Sequence, residues 1–411
     1  MRAPLPAGAS VDLISLPHGS VDMKILWITS GYPWPGNPYG GIFFQTQAQA
    51  LSRLGVTVAV EAVVPWIPAP VAWISSRHAH QRSAPRHQVE ENLRIHRLSY
   101  FAHRYHHFLG WPHLLLARQI LKNLPFKPDL IHGHFAYPIG LASVLAARRL
   151  GIPSVITLHG SDVNHDPTAT WFGSRRFRLA VTGADHVLCV SQALREKTRA
   201  LTGRTPEYLP IGVNLRRFTA SSKRAQARKD LNLPADRAII LYIGNLWPFK
   251  GVQIALDALS DSSLAGALGV FVGSGPLGPA VASQANCLWR ESVPNPLVPS
   301  YLAAADLLIL PSYAEGLPTV LVEAGACGTP VLATRVGGIP ELLQQDRGRL
   351  IEPGSAPALR EAILDVLARP EVARQQAERL REHVREAFDA DLNAGHLLRV
   401  YQELVSRSGA I

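Results

Sequence analysis

Pro311-Ser312-Tyr313-Ala314-Glu315-Gly316-Leu317-Pro318-Thr319-Val320-Leu321-Val322-Glu323-Ala324 is the stretch whose reading decides the fold. The four apolar residues before it, Leu307 to Leu310, read as a fully buried strand, and 318–327 reads as a helix opened by Pro318 at a position that favours proline. Strand, short loop and helix in that order make half of a βαβ unit. Outward from this unit the alternation repeats. In the second half strands are predicted at 238–243, 269–272, 307–310 and 331–333, with helices at 252–259, 301–304 and 318–327. In the first half strands are predicted at 25–29, 56–60, 130–132, 154–158 and 186–190, with helices at 43–54, 139–150 and 192–200. Such alternation predicts an α/β protein with two doubly wound parallel sheets.

A chain of 411 residues is too long for one ordinary core and suits two domains. Turn-forming and charged residues from Leu209 to Lys229 interrupt the apolar periodicity, which puts the join near residue 215. The expected organisation is therefore a first domain over 23–215, a second over 216–388 and a terminal helix over 389–411 packing back across the domains. Residues 1–22 precede Met23 and the first convincing strand, and are read as a disordered extension or a misplaced start. In open α/β sheets ligands collect beyond the carboxyl ends of the strands, so two such sheets facing one another enclose a cleft.

Apolar residues make up 47% of the chain and charged residues 18%, enough for full cores and against disorder. Three cysteines without CxxC spacing argue against a disulfide framework or a zinc cluster. No apolar run reaches the roughly 18 residues needed to span a bilayer, and a cytoplasmic protein, peripheral on the inner face of the membrane, is expected. The net charge is +10. Over 66–126 cations such as Arg77, Arg94, Arg97, Arg104 and Arg118 interleave with Trp73, Tyr105, Phe108 and Trp111, a mixture suited either to an anionic membrane surface or to a solvated basic face. No recognised nucleic-acid motif accompanies the charge, so no nucleic-acid partner is expected.

Residues with chemistry follow predicted strands. The unpaired amides at the start of this helix, around Leu317 to Val320, lie at the positive end of its dipole and suit a diphosphate, which makes Gly316, Leu317, Pro318 and Thr319 candidate donor-binding residues. Carboxylates there cannot serve the phosphate itself, so Glu315 and Glu323 read as acceptors for the hydroxyls of a sugar and a ribose. The structural alternatives are a loop carboxylate held by the dipole and a buried partner for a basic residue. In Gly244-Asn245-Leu246-Trp247-Pro248-Phe249-Lys250-Gly251, Lys250 at a loop-to-helix junction offers a cation to the same diphosphate. Gly40 and Gly41, after the first strand, let backbone amides approach a phosphate. His132 and His134 share a strand face, but no carboxylate or cysteine completes a metal set; His132 reads as a core histidine, and His134 and His159 suit hydrogen bonding to a sugar. Asp389 and Asp391 form an Asp-x-Asp pair best read as a helix cap.

Together these segments resemble glycosyltransferase family 4, retaining enzymes of the GT-B fold, whose two Rossmann-like domains face across a cleft. The match runs from Met23 to Leu404 and includes the Glu315-x7-Glu323 spacing, Gly338-Ile339-Pro340-Glu341, Gly273-Ser274-Gly275, Ala304-Ala305-Asp306 and the histidine motifs. The resemblance implies a nucleoside diphosphate sugar donor, a glycan or lipid-linked acceptor, and neither cofactor nor metal. It places Glu315 and His134 on the donor sugar, Lys250 on the diphosphate with Asn245 beside it, Glu323 on the ribose and Gly41 on the distal phosphate, with His159 and Asp162 on the acceptor side. The chain departs from the pattern at Asn245, where many relatives carry Arg, and over 278–299, which is shortened and carries Glu291 in place of glycine. Those departures keep a second expectation open, a non-catalytic sugar-nucleotide or glycan-binding protein of the same fold.

Overall fold

The computed structural model describes residues 22–66, 83–101, 112–164, 170–220 and 223–409. The proposed N-terminal extension, apart from Asp22, lies outside the described residues, as do Trp73, Arg77, Arg104, Tyr105, Phe108 and Trp111. The first sheet has eight strands: β1 (Lys24–Thr29), β2 (Thr57–Trp66), β3 (His87–Glu90), β4 (Leu93–Phe101), β5 (Leu130–His134), β6 (Ser154–Leu158), β7 (His186–Cys189) and β8 (Glu207–Tyr208). Their order is β3-β4-β2-β1-β5-β6-β7-β8, parallel throughout except for β3, which runs antiparallel to β4. The second sheet is wholly parallel, with β9 (Ala238–Ile243), β10 (Ala267–Val272), β11 (Cys287–Arg290), β12 (Leu307–Leu310), β13 (Val331–Thr334) and β14 (Arg349–Ile351) in the order β11-β10-β9-β12-β13-β14.

The central strands read as unbroken apolar runs because helices cover both of their faces. Ile25, Leu26, Trp27 and Ile28 of β1 and Ile239 to Tyr242 of β9 are fully buried. In each sheet the strand order reverses at one place, around β1 in the first and β9 in the second, so the loops after β1, β9 and β12 open into the crevices where ligands gather.

Two chain crossings join the halves, and they lie side by side: the Val213 amide donates to the Phe388 carbonyl at 2.7 Å and the Ala390 amide to the Val213 carbonyl at 3.0 Å. The helix Ala390–Ser408 then returns to the first domain, packs on the helix Ile42–Arg53 and buries Leu397 and Tyr401 beside Trp27. Trp27 Nε1 donates to the Tyr401 hydroxyl at 3.1 Å. With that hydroxyl donating in turn to His132 Nδ1 at 2.5 Å, Nε2–H of His132 is left to donate to Thr157 Oγ1 at 2.8 Å. His132 is thus a core histidine with both ring nitrogens satisfied.

The stretch over 66–126 is less uniform than its composition suggests. Its described part includes β3, β4 and the helix Pro112–Lys122. Arg97 belongs to no basic surface: it is buried, and its guanidinium donates to the carbonyls of Tyr32, Pro33 and Pro85 and to Gln88 Oε1. Composition cannot separate a cation that pins a loop from one that faces solvent.

Candidate active site

The crevices of the two sheets meet in one cavity of about 400 Å³. Tyr39, Ile42, Phe43, Phe135 and His159 line it from the first domain; Asn245, Lys250, Ser274, Val293, Asn295, Glu315, Leu317, Pro318, Thr319 and Glu323 line it from the second. Sequence reasoning had singled out neither Phe43 nor the pair Val293 and Asn295, which are apolar or neutral residues without a motif of their own.

Lys250 and Glu315 form the centre of the second-domain wall. The Lys250 ammonium lies 2.7 and 2.8 Å from the two carboxylate oxygens of Glu315, and the Ser312 hydroxyl donates to Oε1 at 2.7 Å. Glu315 is buried, whereas Lys250 keeps partial access to the cavity. The loops after β9 and β12 reach this arrangement by close approach: Gly251 has φ 70°, and a Cβ there would stand 1.9 Å from the Pro311 carbonyl oxygen. Behind Glu315 begins the helix Thr319–Cys327, capped by Pro318 one residue earlier than the helix proper. Leu317 to Val320, at its start, line the same cavity as Lys250, so a cation and the positive end of a helix dipole lie on one wall, electrostatics that suit an anion.

Glu323 lines the cavity one turn further along this helix. Burial pushes its carboxyl up to about 7, partly opposed by the Arg217 guanidinium. Glu323 thus borders the cavity and at the same time neighbours the Arg217 cation, as the structural alternative expected.

The histidines are arranged differently from expectation. His134 is fully buried and does not line the cavity, stacking on His132 with ring centroids 4.3 Å apart and packing against Trp27 and Phe44. His159 stands between it and the cavity, with His134 Nδ1 and His159 Nε2 3.1 Å apart. Burial holds His134 well below the ordinary imidazole range and His159 at about 3, so both are neutral and one proton lies between the facing nitrogens. The cavity-facing histidine is His159. Position 134 points inward because side chains alternate along a strand, and this one falls on the face covered by Phe44.

Three further candidates, Asp162, Gly40 and Gly41, do not line the cavity. Asp162 is buried and accepts from the amides of Ala136, His159 and Gly160 at 3.0, 3.1 and 2.9 Å, so it ties the loops after β5 and β6 together and does not line the cavity. The Gly40 amide donates to Asn37 Oδ1 at 3.0 Å. Gly41, at φ 84°, caps the helix Ile42–Arg53, and the neighbours Tyr39, Ile42 and Phe43, not the glycines, reach the cavity wall. Asn245 lines the cavity, and its backbone carbonyl accepts from the Tyr242 hydroxyl at 2.9 Å. Asp389 caps the terminal helix through the Asp391 amide, and Asp391 pairs with Arg53 and Arg216.

The domains touch where Gly316 meets His159: a Cβ on Gly316 would lie 2.1 Å from the His159 carbonyl oxygen. The turn at Gly337 and Gly338 supports this contact from behind, with the Gly338 amide donating to the Gly316 carbonyl at 2.7 Å. Glu341, in the short helix Ile339–Leu343 that follows, crosses to the first domain and accepts from the amides of Gln192 and Ala193 at 2.8 and 2.7 Å, capping a helix 149 residues away in sequence. Asp306 is likewise structural, holding Arg224, Arg228 and the Ile239 amide.

Residues 40–217 match the profile of Glycosyltransferase Family 4, and residues 223–383 that of Glycosyl transferases group 1. The chain is 38% identical over 397 residues to a putative teichuronic acid biosynthesis glycosyltransferase, TuaC, of Bacillus subtilis (strain 168), covering 94% of this chain and 100% of that one. Its fold is similar to sucrose-phosphate synthase from Thermosynechococcus elongatus, with a TM-score of 0.75 at 22% identity over 94% of this chain and 100% of that one. It is also similar to Anabaena HepE in complex with UDP, with a TM-score of 0.69 at 19% identity over 93% and 100% of the two chains. Two facing doubly wound domains with these likenesses establish the GT-B fold.

Proposed function

The chain belongs to the group 1 and family 4 glycosyltransferases, and from that premise we propose that it transfers a sugar, with retention and without a metal, from a nucleoside diphosphate sugar to a glycan or lipid-linked acceptor in polysaccharide or glycoconjugate biosynthesis. The observation that carries this reading is Lys250 held against Glu315 at the N-terminus of the helix Thr319–Cys327, on the wall of a cavity shared by both domains. A diphosphate entering there meets Lys250 and the helix amides. Lys250 then exchanges part of its contact with Glu315 for phosphate oxygen, a charge-assisted bond worth roughly 1.5–3 kcal/mol. Glu315, relieved of that contact, accepts from a hydroxyl of the donor sugar, and Glu323 accepts from the ribose.

In the reaction the bond from the anomeric carbon to the diphosphate oxygen breaks as the bond to the acceptor oxygen forms on the same face. The acceptor's proton passes to the departing diphosphate. Stabilisation of the charge on that leaving group supplies most of the rate. In this reading Lys250 and the helix amides supply it. The Asp-x-Asp pair is engaged in a helix cap and in ion pairs with Arg53 and Arg216, which supports a metal-free mechanism. His159 faces the sugar from the first domain, with His134 orienting its ring. An acceptor carried on a lipid fits a protein working at the inner face of an anionic membrane.

The test is slow hydrolysis of a panel of nucleoside diphosphate sugars with chelator present. Hydrolysis of one donor by the native chain, lost in Glu315→Ala and Lys250→Ala, is the expected result. Activity that appears only on adding a divalent ion would reject the metal-free mechanism, and failure of every donor to bind would favour a non-catalytic role.

A further inference from the structure

One layer of the first domain carries charge of a single sign. The helices Pro112–Lys122, Leu141–Leu150 and Trp171–Gly183 lie together on one face of the sheet, the middle one packed against both of the others. They contribute Arg118 and Lys122, Arg148 and Arg149, and Arg175, Arg176 and Arg178, seven cations, and contain no Asp or Glu. Among the described residues Arg118, Lys122, Arg149 and Arg175 are exposed and form no ion pair, whereas Arg148 and Arg178, also exposed, donate to the carbonyls of Gly183 and Leu201 at 3.0 and 2.7 Å. The same layer exposes large apolar side chains: Trp171 is 66% exposed, Phe172 48%, Leu179 50%, Leu114 42% and Leu115 49%. The Arg175 guanidinium lies 5.6 Å from the Trp171 ring centre.

The position of these side chains follows from topology. Each outer helix runs back to the start of a parallel strand, β5 or β7, so its first turn lies at the carboxyl edge of the sheet, the edge that opens into the cleft. Leu114, Leu115, Trp171 and Phe172 occupy those first turns. Tyr137, just beyond β5, joins the two helices: its ring centre lies 5.6 Å from that of His113 and 5.1 Å from the Arg176 guanidinium. Phe135, two residues before Tyr137, lines the cavity. The exposed apolar cluster therefore sits beside the cleft mouth, at its first-domain end.

We propose that this three-helix layer docks the protein on an anionic bilayer, with Trp171, Phe172, Leu114 and Leu115 entering the headgroup region and Arg118, Lys122, Arg149 and Arg175 facing lipid phosphates. Aromatic and leucine side chains bordered by arginine, with acidic residues excluded, make an interfacial face. The complementary partner is a surface negative over a wide area, and each cation near such a surface raises partitioning about fivefold. The proposal rests on the preceding reading in one respect, that docking brings the cleft mouth to a lipid-carried acceptor; the face itself stands on exposure and charge.

The test is co-sedimentation of the full chain with vesicles of phosphatidylcholine alone and of phosphatidylcholine with an equal part of phosphatidylglycerol. Two variants are compared, Trp171→Ser with Phe172→Ser, and Arg118→Glu with Lys122→Glu and Arg175→Glu. The expected result is salt-sensitive binding to the anionic vesicles only, reduced at least tenfold in both variants, with hydrolysis of a water-soluble donor unchanged in both. Equal binding to the two vesicle types, undiminished binding in the variants, or binding of duplex DNA in preference to vesicles would overturn it. Vesicle binding by a chain that hydrolyses no donor would leave the docking face standing and remove the transferase reading.

Discussion

The Lys250 ammonium bridges both carboxylate oxygens of Glu315, at 2.7 and 2.8 Å, although the two residues are 65 positions apart and come from different strand-to-helix loops. Removing either partner alone therefore has unequal consequences. Lys250→Met leaves a buried carboxylate with only Ser312 beside it and should destabilise the fold by about 3–5 kcal/mol, whereas Glu315→Gln should cost less. The double variant should be more stable than Lys250→Met. Denaturant unfolding of the three variants reads this directly, and additive losses would show that the pair is not coupled.

Gly316 is the point where the second domain bears on the first. A methyl group there would collide with the His159 carbonyl, 2.1 Å away, and the collision is relieved by parting the domains, not by disturbing either core. Gly316→Ala is predicted to lower donor turnover about a hundredfold, as misplacement by roughly 1 Å does, with little change in unfolding midpoint. A variant of normal activity would mean that the domains do not work in this closed arrangement.

His159 and His134 are separable by kinetics. Only His159 reaches the cavity, so His159→Ala should reduce turnover on the order of a hundredfold, the usual cost of one polar contact to a reacting group. His134→Phe keeps the stack on His132 and should reduce turnover less, through the freedom it gives the His159 ring. The reverse ranking would put the sugar contact on His134.

Stability should depend on pH with a maximum between about 6 and 7. Burial lowers His113 to about 4 and His159 to about 3, and holds His132 and His134 well below their ordinary value. Between those values and the ordinary 6.5 the unfolded chain binds protons that the folded one does not, so stability falls as pH drops through that window. Glu61 and Glu323 act in the opposite sense. Burial raises them to about 8 and about 7, so their contribution is full below the unfolded value of 4.5 and is lost as pH rises through 7 to 8. Glu61→Gln should flatten the alkaline side of a Tm profile and leave the acid side in place; an alkaline fall that persists in that variant would assign it elsewhere.

Several elements were legible because the signal is local. The helix Val252–Leu259 and the strands Ala238–Ile243, Ser154–Leu158 and Leu307–Leu310 have the predicted bounds, since a buried parallel strand needs a continuous apolar run and a helix a 3.6-residue period. The edge strands β3, β8, β11 and β14 passed unseen because two to four residues carry too little pattern, and the nine-residue β4 passed unseen because its arginines and histidine made it read as part of a basic stretch.

The site divides along the same line. Sequence alone pointed to loops that follow a strand and open a helix, and it singled out Lys250, Glu315 and Glu323, which the fold brings to one cavity wall. Only the tertiary structure decided which polar residues face the cavity and which hold the protein together. Asp162 reads as a site carboxylate in sequence, yet backbone amides of other segments consume it, and Glu341 and Asp306 of the matched motifs are likewise held by amides and arginines. Likewise His134 and His159 share one kind of motif and differ in depth. An unpaired buried polar group is costly, so its role is set by the partner that satisfies it, and that partner is brought by the fold from a distant part of the chain.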